Sequence, residues 1–346
     1  MSIAVALLPV VAFLAILVMC DSFKLVPAGT LARAIVAGGL AAVGASYLHA
    51  WLADAFAIDA VTMSRYVAPI TEETLKAAFV VYALARRQIG FLVDASIVGF
   101  AIGAGFAVVE NIEYLRHLED PRIWVWIVRG FGTAILHATT TAVIAIAAKS
   151  LADRAPGRGW LNLVPGWLIA IALHSAYNHA LVSPVLAAAV LMLVLPIIVI
   201  TVFADSERKT REWVGDGLDL DVELLQLIKS SHFGSTRLGR YLTELRDRFP
   251  GPIVADMFCL LQLDLELSIR AKGMLMAREA GLESPPDPTL DAQLEERIYL
   301  TGQIGRTGLL ALRPLQVTSD RDLWHHYLLQ QAGEKRRWKR LIRKRW

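Results

Sequence analysis

Cysteine is nearly missing from these 346 residues; only Cys20 and Cys259 occur. That excludes a disulfide framework and leaves neither thiol a companion for a cysteine-based metal site. A surplus of one charge is lacking too. The formal net charge of +3, with no nucleic-acid-binding motif, argues against nucleic acid as a partner. No basic n-region precedes the apolar segment Ile3 to Met19, and no small-residue cleavage site stands before Asp21. The segment therefore reads as a retained helix, and Met19 before Cys20 speaks against a lipoprotein. The H-E-x-x-H signature is missing as well, so no single helix announces a metal site.

What the chain has in excess is apolar surface. Hydrophobic residues make up 55% of it, and its mean hydropathy of +0.48 is too high for an ordinary soluble protein. Long apolar runs continue to about Phe203, and from Ala204 onward the sequence is charged and amphipathic. The pattern predicts an all-α protein in two parts. Residues 1–204 form a polytopic transmembrane bundle, and residues 205–346 form a helical cytoplasmic domain with a basic C-terminal tail.

A spanning helix needs roughly 20 mainly apolar residues. Seven segments qualify: 3–20, 29–51, 62–85, 92–115, 123–149, 163–182 and 184–203. Glu72, Glu73 and Lys76 dent the third, whose alternative is an amphipathic surface helix. It is kept because Ala77 to Leu84 resumes the apolar run and Arg86-Arg87 closes it like an interfacial anchor. One set of loops carries Lys24, Arg33, Arg86, Arg87, Lys149, Arg154 and Arg158. The opposite set carries Arg65, Arg116 and Arg122 diluted by Asp54, Asp59, Glu119 and Asp120. The positive-inside rule then predicts a multi-pass cell-membrane protein, with its N-terminus extracytoplasmic and its C-terminal domain cytoplasmic.

Four of these apolar segments carry ionisable groups where a lipid-facing helix could least tolerate them: Glu72, Glu73 and Lys76; Glu110; His137; and His174, with Asn178 one turn further on. A charge at the bilayer centre costs at least ~3 kcal/mol, so such residues face a partner, a cavity or a metal. Carboxylates with imidazoles are the ligand and proton-transfer chemistry of a hydrolytic metal site. Counting ~1.5 Å per residue from the loops brings all four segments to one zone. Glu73 and His137 lie near the midplane, and Glu110 and Asn178 about two turns nearer the outer face.

Neighbouring residues on a helix project ~100° apart, so Glu72 and Glu73 do not share one role. Lys76, at i+4 from the first and i+3 from the second, neutralises one carboxylate and leaves the other in need of a proton, a metal or water. One of the two serves as general base on a bound water, and the spacing leaves open which. Gly99 and Gly103 form a G-x-x-x-G face that lets another backbone approach. Glu110 follows an unbroken apolar run, which suits a ligand; Glu113 reads as interfacial, with Arg129 on the next helix as a partner. His137 has Thr141 at i+4 to orient its ring. His174 and Asn178 share one helix face, with His179 beside them. Each alone has an ordinary explanation in helix–helix contacts; together they predict zinc held by Glu110, His137 and His174. Asn178 either completes that shell or donates to the oxyanion. Softness arguments do not separate zinc from cobalt or manganese.

The ordered set Glu72-Glu73-Thr74-Leu75-Lys76, Phe106-Ala107-Val108-Val109-Glu110-Asn111, Arg129 to Thr141 and His174 to Asn178 resembles the PrsW family of intramembrane metalloproteases. That family sits in the wider group containing the CAAX-prenyl endopeptidases. Those enzymes have a longer Glu-Glu-x-x-x-Arg spacing and a His where this chain has Glu110, which favours PrsW. The resemblance covers roughly residues 60–180. It implies cleavage of single-span membrane proteins, anti-sigma factors being the known kind. The rival from another class is a transporter or a proton or metal relay, which would need polar groups reaching both faces. A catalytically inactive scaffold is a third reading.

Beyond the matched core, Leu224 to Lys229, Tyr241 to Arg248, Ile253 to Glu279 and Leu290 to Leu300 have helical apolar spacing. Phe249 to Pro252 and Ser284 to Pro288 interrupt them. His232, His325 and His326 lack companions. The tail from Lys335 to Trp346 mixes bases with tryptophan, and anionic lipid attracts such a segment at ~1 kcal/mol per basic residue. A solvated terminus is the alternative.

Overall fold

The computed structural model describes residues 2–312 apart from 87, 118–122, 155, 182 and 283–287, together with residue 314. Arg87, Glu119, Asp120, Arg122, Ser284 to Asp287, His325, His326 and the basic tail therefore lie outside the described residues. So do the side chains of Arg116 and Arg158. All regular structure among the described residues is helical. The helices are α1 (Ser2–Met19), α2 (Ala28–Phe56), α3 (Ala60–Thr62), α4 (Ala68–Ala85), α5 (Leu92–His117), α6 (Ile123–Val128), α7 (Ile135–Arg154), α8 (Val164–Asn178), α9 (Pro184–Lys229), α10 (Arg237–Glu244), α11 (Gly251–Glu279) and α12 (Leu290–Leu312). Two compact units emerge, Met1–Arg208 and Lys209–Trp346.

In the first unit α5 is the central helix, touching α1, α2, α4 and α7. Glycine makes this possible. A Cβ on Gly38 of α2 would lie 1.8 Å from the Ile102 carbonyl oxygen, and one on Gly105 of α5 would lie 2.0 Å from that of Ile35. On the other side of α5, a Cβ on Gly103 would stand 2.2 Å from the His137 carbonyl oxygen, and one on Gly99 2.8 Å from Ala142 Cα. The G-x-x-x-G face of the sequence thus seats α7 against α5 at backbone distance. Outward from this axis α2 exposes Val36, Leu40 and Val43, as a lipid-facing surface does.

Among the described residues of the first unit two segments are π-helical, Met63–Val67 before α4 and Arg129–Ala134 before α7. Short π stretches often mark functional sites, because the extra residue re-aims its neighbours. Side chains of α8 anchor the first one: Ser175 Oγ donates to the Arg65 carbonyl at 2.7 Å, and Asn178 Nδ2 to that of Ser64 at 2.8 Å.

Among the described residues, three helices are long and apolar enough to cross a membrane, within Ala28–Phe56, Leu92–Tyr114 and Val125–Arg154. Ala6–Met19 and Pro184–Val194 are shorter apolar helices. The carboxylates and lysine of α4 lower its hydropathy, and α8 has only 15 residues. Helix α9 continues without interruption past Phe203 to Lys229.

The second unit has its own core. Met257, Leu260, Leu267 and Ala271 of α11 pack with Leu300, Ile304 and Leu312 of α12. Lys272 Nζ meets Asp221 Oδ2 at 2.7 Å and the Gly217 carbonyl at 2.9 Å, joining α11 to the last turns of α9.

Candidate metal centre

Helix α4 turns Glu72, Glu73 and Lys76 inward together with Ala77, Val80 and Ala83, and all six are buried. Lys76 and Glu73 are both wholly inaccessible, with Nζ 2.7 Å from Oε1. The i+3 carboxylate is therefore the one Lys76 neutralises. The same Glu73 oxygen lies 2.9 Å from His174 Nδ1 and accepts from Thr140 Oγ1 at 3.2 Å. Lys76 Nζ also lies 3.1 Å from His137 Nδ1 and 4.7 Å from the centre of the Phe106 ring.

Glu72 is in a different position. Its Oε2 is buried without a hydrogen bond, 3.9 Å from His137 Nδ1 and 3.9 Å from His174 Nε2. One donor atom from each of Glu72, His137 and His174 falls within 4.8 Å of the others, and all three residues are buried. An orphaned carboxylate oxygen facing two imidazole nitrogens is a donor set that fits a divalent ion of the zinc class. The remaining nitrogen of each ring faces another carboxylate. His174 Nδ1 has Glu73, and His137 Nε2 lies 3.0 Å from Glu110 Oε2, in ion-pair range but not aligned as a hydrogen bond. Carboxylates behind imidazoles fix ring orientation in many metal sites.

Of the residues singled out in the sequence, Glu72, Glu73, Lys76, Glu110, His137 and His174 come together, and Asn178 is engaged by Ser64. Glu110 reaches the level of His137 rather than lying two turns away. Arg129 approaches Glu110 at 3.3 Å, donates from Nε to Asn111 Oδ1 at 2.7 Å and stacks 3.9 Å from the Tyr114 ring centre. Glu113 accepts from Ser46 Oγ at 2.6 Å. Thr141 does not orient the His137 ring; its hydroxyl donates to the His137 carbonyl at 2.9 Å, the usual back-bond of a threonine within a helix. Sequence reasoning overlooked Thr140, although its i+3 spacing from His137 puts both on one face. It also overlooked His49, whose Nε2 lies 2.6 Å from Thr71 Oγ1; a lone histidine in α2 gave no signal.

The family model for PrsW family intramembrane metalloproteases matches residues 26–204. That is more than half of the chain. The protein belongs to the PrsW family. Neither the curated proteins nor the solved structures gave a match. As a PrsW-family member it is an intramembrane protease of the metalloprotease class, and the matched region contains every residue of the buried cluster.

Proposed function

We propose that this protein hydrolyses peptide bonds of single-span membrane proteins, with anti-sigma-factor-like substrates, at a zinc centre inside its first unit. One observation carries the reading: within the matched family region, Glu72 Oε2 is buried, unbonded and equidistant from two imidazole nitrogens. The distances favour Glu72, His137 and His174 as the metal-binding set over the expected Glu110, His137 and His174. Glu110 and Glu73 then act from behind, each keeping one imidazole turned toward Glu72.

Zinc bound there would supply Lewis acidity and a water whose pKa falls toward ~7. The chain's own groups do the rest. Glu73 serves as general base: Lys76, His174 and Thr140 hold its Oε1, while its Oε2 is buried without a hydrogen bond. Oε2 accepts the proton of the attacking water and returns it to the leaving amine as the C–N bond breaks. The contact with Ser64 supports a positioning role for Asn178, holding the π-helical segment beside α8 in place of the expected oxyanion donation.

The reading keeps seven crossings, formed by α1, α2, α4, α5, α6 with α7, α8 and the first part of α9. The N-terminus is extracytoplasmic, residues 205–346 are cytoplasmic, and the cut falls in or just outside the outer half of the substrate's span. Membrane proteomics tests the function. Cells carrying Glu72→Gln/Glu73→Gln should accumulate an uncleaved single-span protein that wild-type cells process. Identical membrane proteomes would overturn the proposal.

A further inference from the structure

We propose that the cleft between α2 and α4 is a binding site for one acyl chain of an anionic phospholipid, whose headgroup is held by Arg33 and Arg86. The cleft has a volume of about 270 Å³. Ala34 and Ala37 of α2 and Ala78 and Phe79 of α4 form its walls, and Val98 and Ile102 of α5 its floor. It exists because of how the three helices are fastened. Gly38 and Gly105 hold α2 against α5 at backbone distance, and the His49–Thr71 contact of 2.6 Å ties α2 to α4 toward the other end. On the side of the glycine tie away from His49, the residues that α2 and α4 turn to the cleft include Ala34, Ala37, Ala78 and Ala83, whose methyl groups do not span the gap.

One end of the cleft is polar. Arg33, Tyr82 and Gln88 line it; Arg33 donates to Thr30 Oγ1 at 3.0 Å, and the Arg86 guanidinium lies 5.5 Å from the centre of the Tyr82 ring. Among the described residues neither Arg33 nor Arg86 has a carboxylate partner. Two uncompensated cations at the mouth of an apolar cleft between membrane helices match a lipid with a negative headgroup and hydrocarbon below it. The site does not depend on the chemistry proposed above. It links the surrounding lipid to α4, the helix that carries Glu72 and Glu73, through Phe79, which also packs against the cluster of Ala41, Ala42, Ala45 and Phe106.

Native mass spectrometry of the full chain in detergent, titrated with phosphatidylglycerol or phosphatidylcholine of matched acyl chains, tests this. Wild type should bind one phosphatidylglycerol in preference, by roughly fivefold per arginine and ~25-fold for the pair. Arg33→Gln/Arg86→Gln should bring the preference close to unity while both lipids still bind. Ala78→Leu, at an exposed position on the cleft wall, should weaken both lipids, and Ala37→Val gives the same reading if that variant does not fold. Glycerol phosphate, which lacks acyl chains, should not compete. Equal affinity for the two lipids in wild type would overturn the site. So would a preference that survives the double arginine variant, or unchanged binding in both cleft-filling variants.

Discussion

Lys76 in the first unit and Lys272 in the second are both almost wholly inaccessible, and the two are treated differently. Lys272 in the second unit meets Asp221 and the Gly217 carbonyl, and Ser268 completes the same Asp221 oxygen at 2.6 Å. Lys76 in the first unit meets Glu73 and His137, but the groups around it stay incomplete. Glu72 Oε2, Glu73 Oε2, Glu110 Oε2 and His137 Nε2 are all buried without a hydrogen bond. Among the described residues, no such atom lies in the second unit. An orphaned buried polar atom costs ~1–3 kcal/mol, and folding removes such costs where nothing else requires them. The Lys272–Asp221 pair closes its valences within the protein, whereas the cluster around Lys76 concentrates four buried atoms without a hydrogen-bonded protein partner; Asp94 Oδ1 and Trp126 Nε1 are single cases elsewhere in the first unit.

Substitutions can break that comparison, beginning with the largest effect. Glu72→Gln should lower processing of the accumulating membrane protein at least ~10²-fold and reduce bound metal. Thermal stability should stay within ~1 kcal/mol, because the altered oxygen makes no hydrogen bond. Elemental analysis beside a melting curve reads both, and a large destabilisation with metal retained would make Glu72 a structural group.

Lys272→Met should do the reverse. Removing one partner of a buried pair costs about 3–5 kcal/mol. Hydrogen exchange along α11 should accelerate accordingly, and unchanged protection would mean the pair contributes little to the second unit. Gly103→Ala comes next, at about 1–3 kcal/mol for overpacking. Its new methyl group would press on the His137 carbonyl, so zinc affinity should fall with stability in the same variant. Stability lost with affinity kept would separate the α5–α7 contact from the site.

The smallest effect concerns Asp264. Burial raises its carboxyl above the ordinary aspartate value of 3.8, although Arg297, 2.6 Å away, pulls the other way. The folded state then binds the proton more tightly than the unfolded state. This group's contribution to stability is therefore present below 3.8 and declines as pH rises through the ordinary aspartate value and then its folded one. Asp264→Asn should flatten that slope in a pH series of denaturant melts of the second unit; an unchanged slope would assign it to other groups.

Much of this was legible in the chain itself. Apolar runs and helical spacing marked most of the long helices, because burial and lipid both select for them residue by residue; the charged middle of α9, from Ala204 to Glu223, and the end of α12 were not marked. Gly99 and Gly103 announced a close approach. The order of the four polar motifs pointed to the family, since each motif is a local pattern. Three features were not legible. The i+3 and i+4 spacings allow Lys76 either glutamate, and only the rotation of α4 against α7 decides for Glu73. The π-helical turn at Arg129 brings that side chain to Glu110 and Asn111, and helical counting does not foresee a π turn. Thr140 and His49 gain partners from helices 67 and 22 residues away in the chain.

The sequence by itself determined the helical class, the apolar character of the first unit and the chemical inventory of acids, imidazoles and one lysine. These depend on composition and on contacts within a turn or two of helix. Tertiary structure alone decided which oxygen faces which nitrogen. That choice depends on how α4, α5, α7 and α8 rotate about one another; glycine contacts at backbone distance seat α5 on α7, and side-chain packing on α2, α7 and α8 sets the rotation of α4. A rotation of one residue, ~100°, would exchange the roles of Glu72 and Glu73 without changing a single local preference.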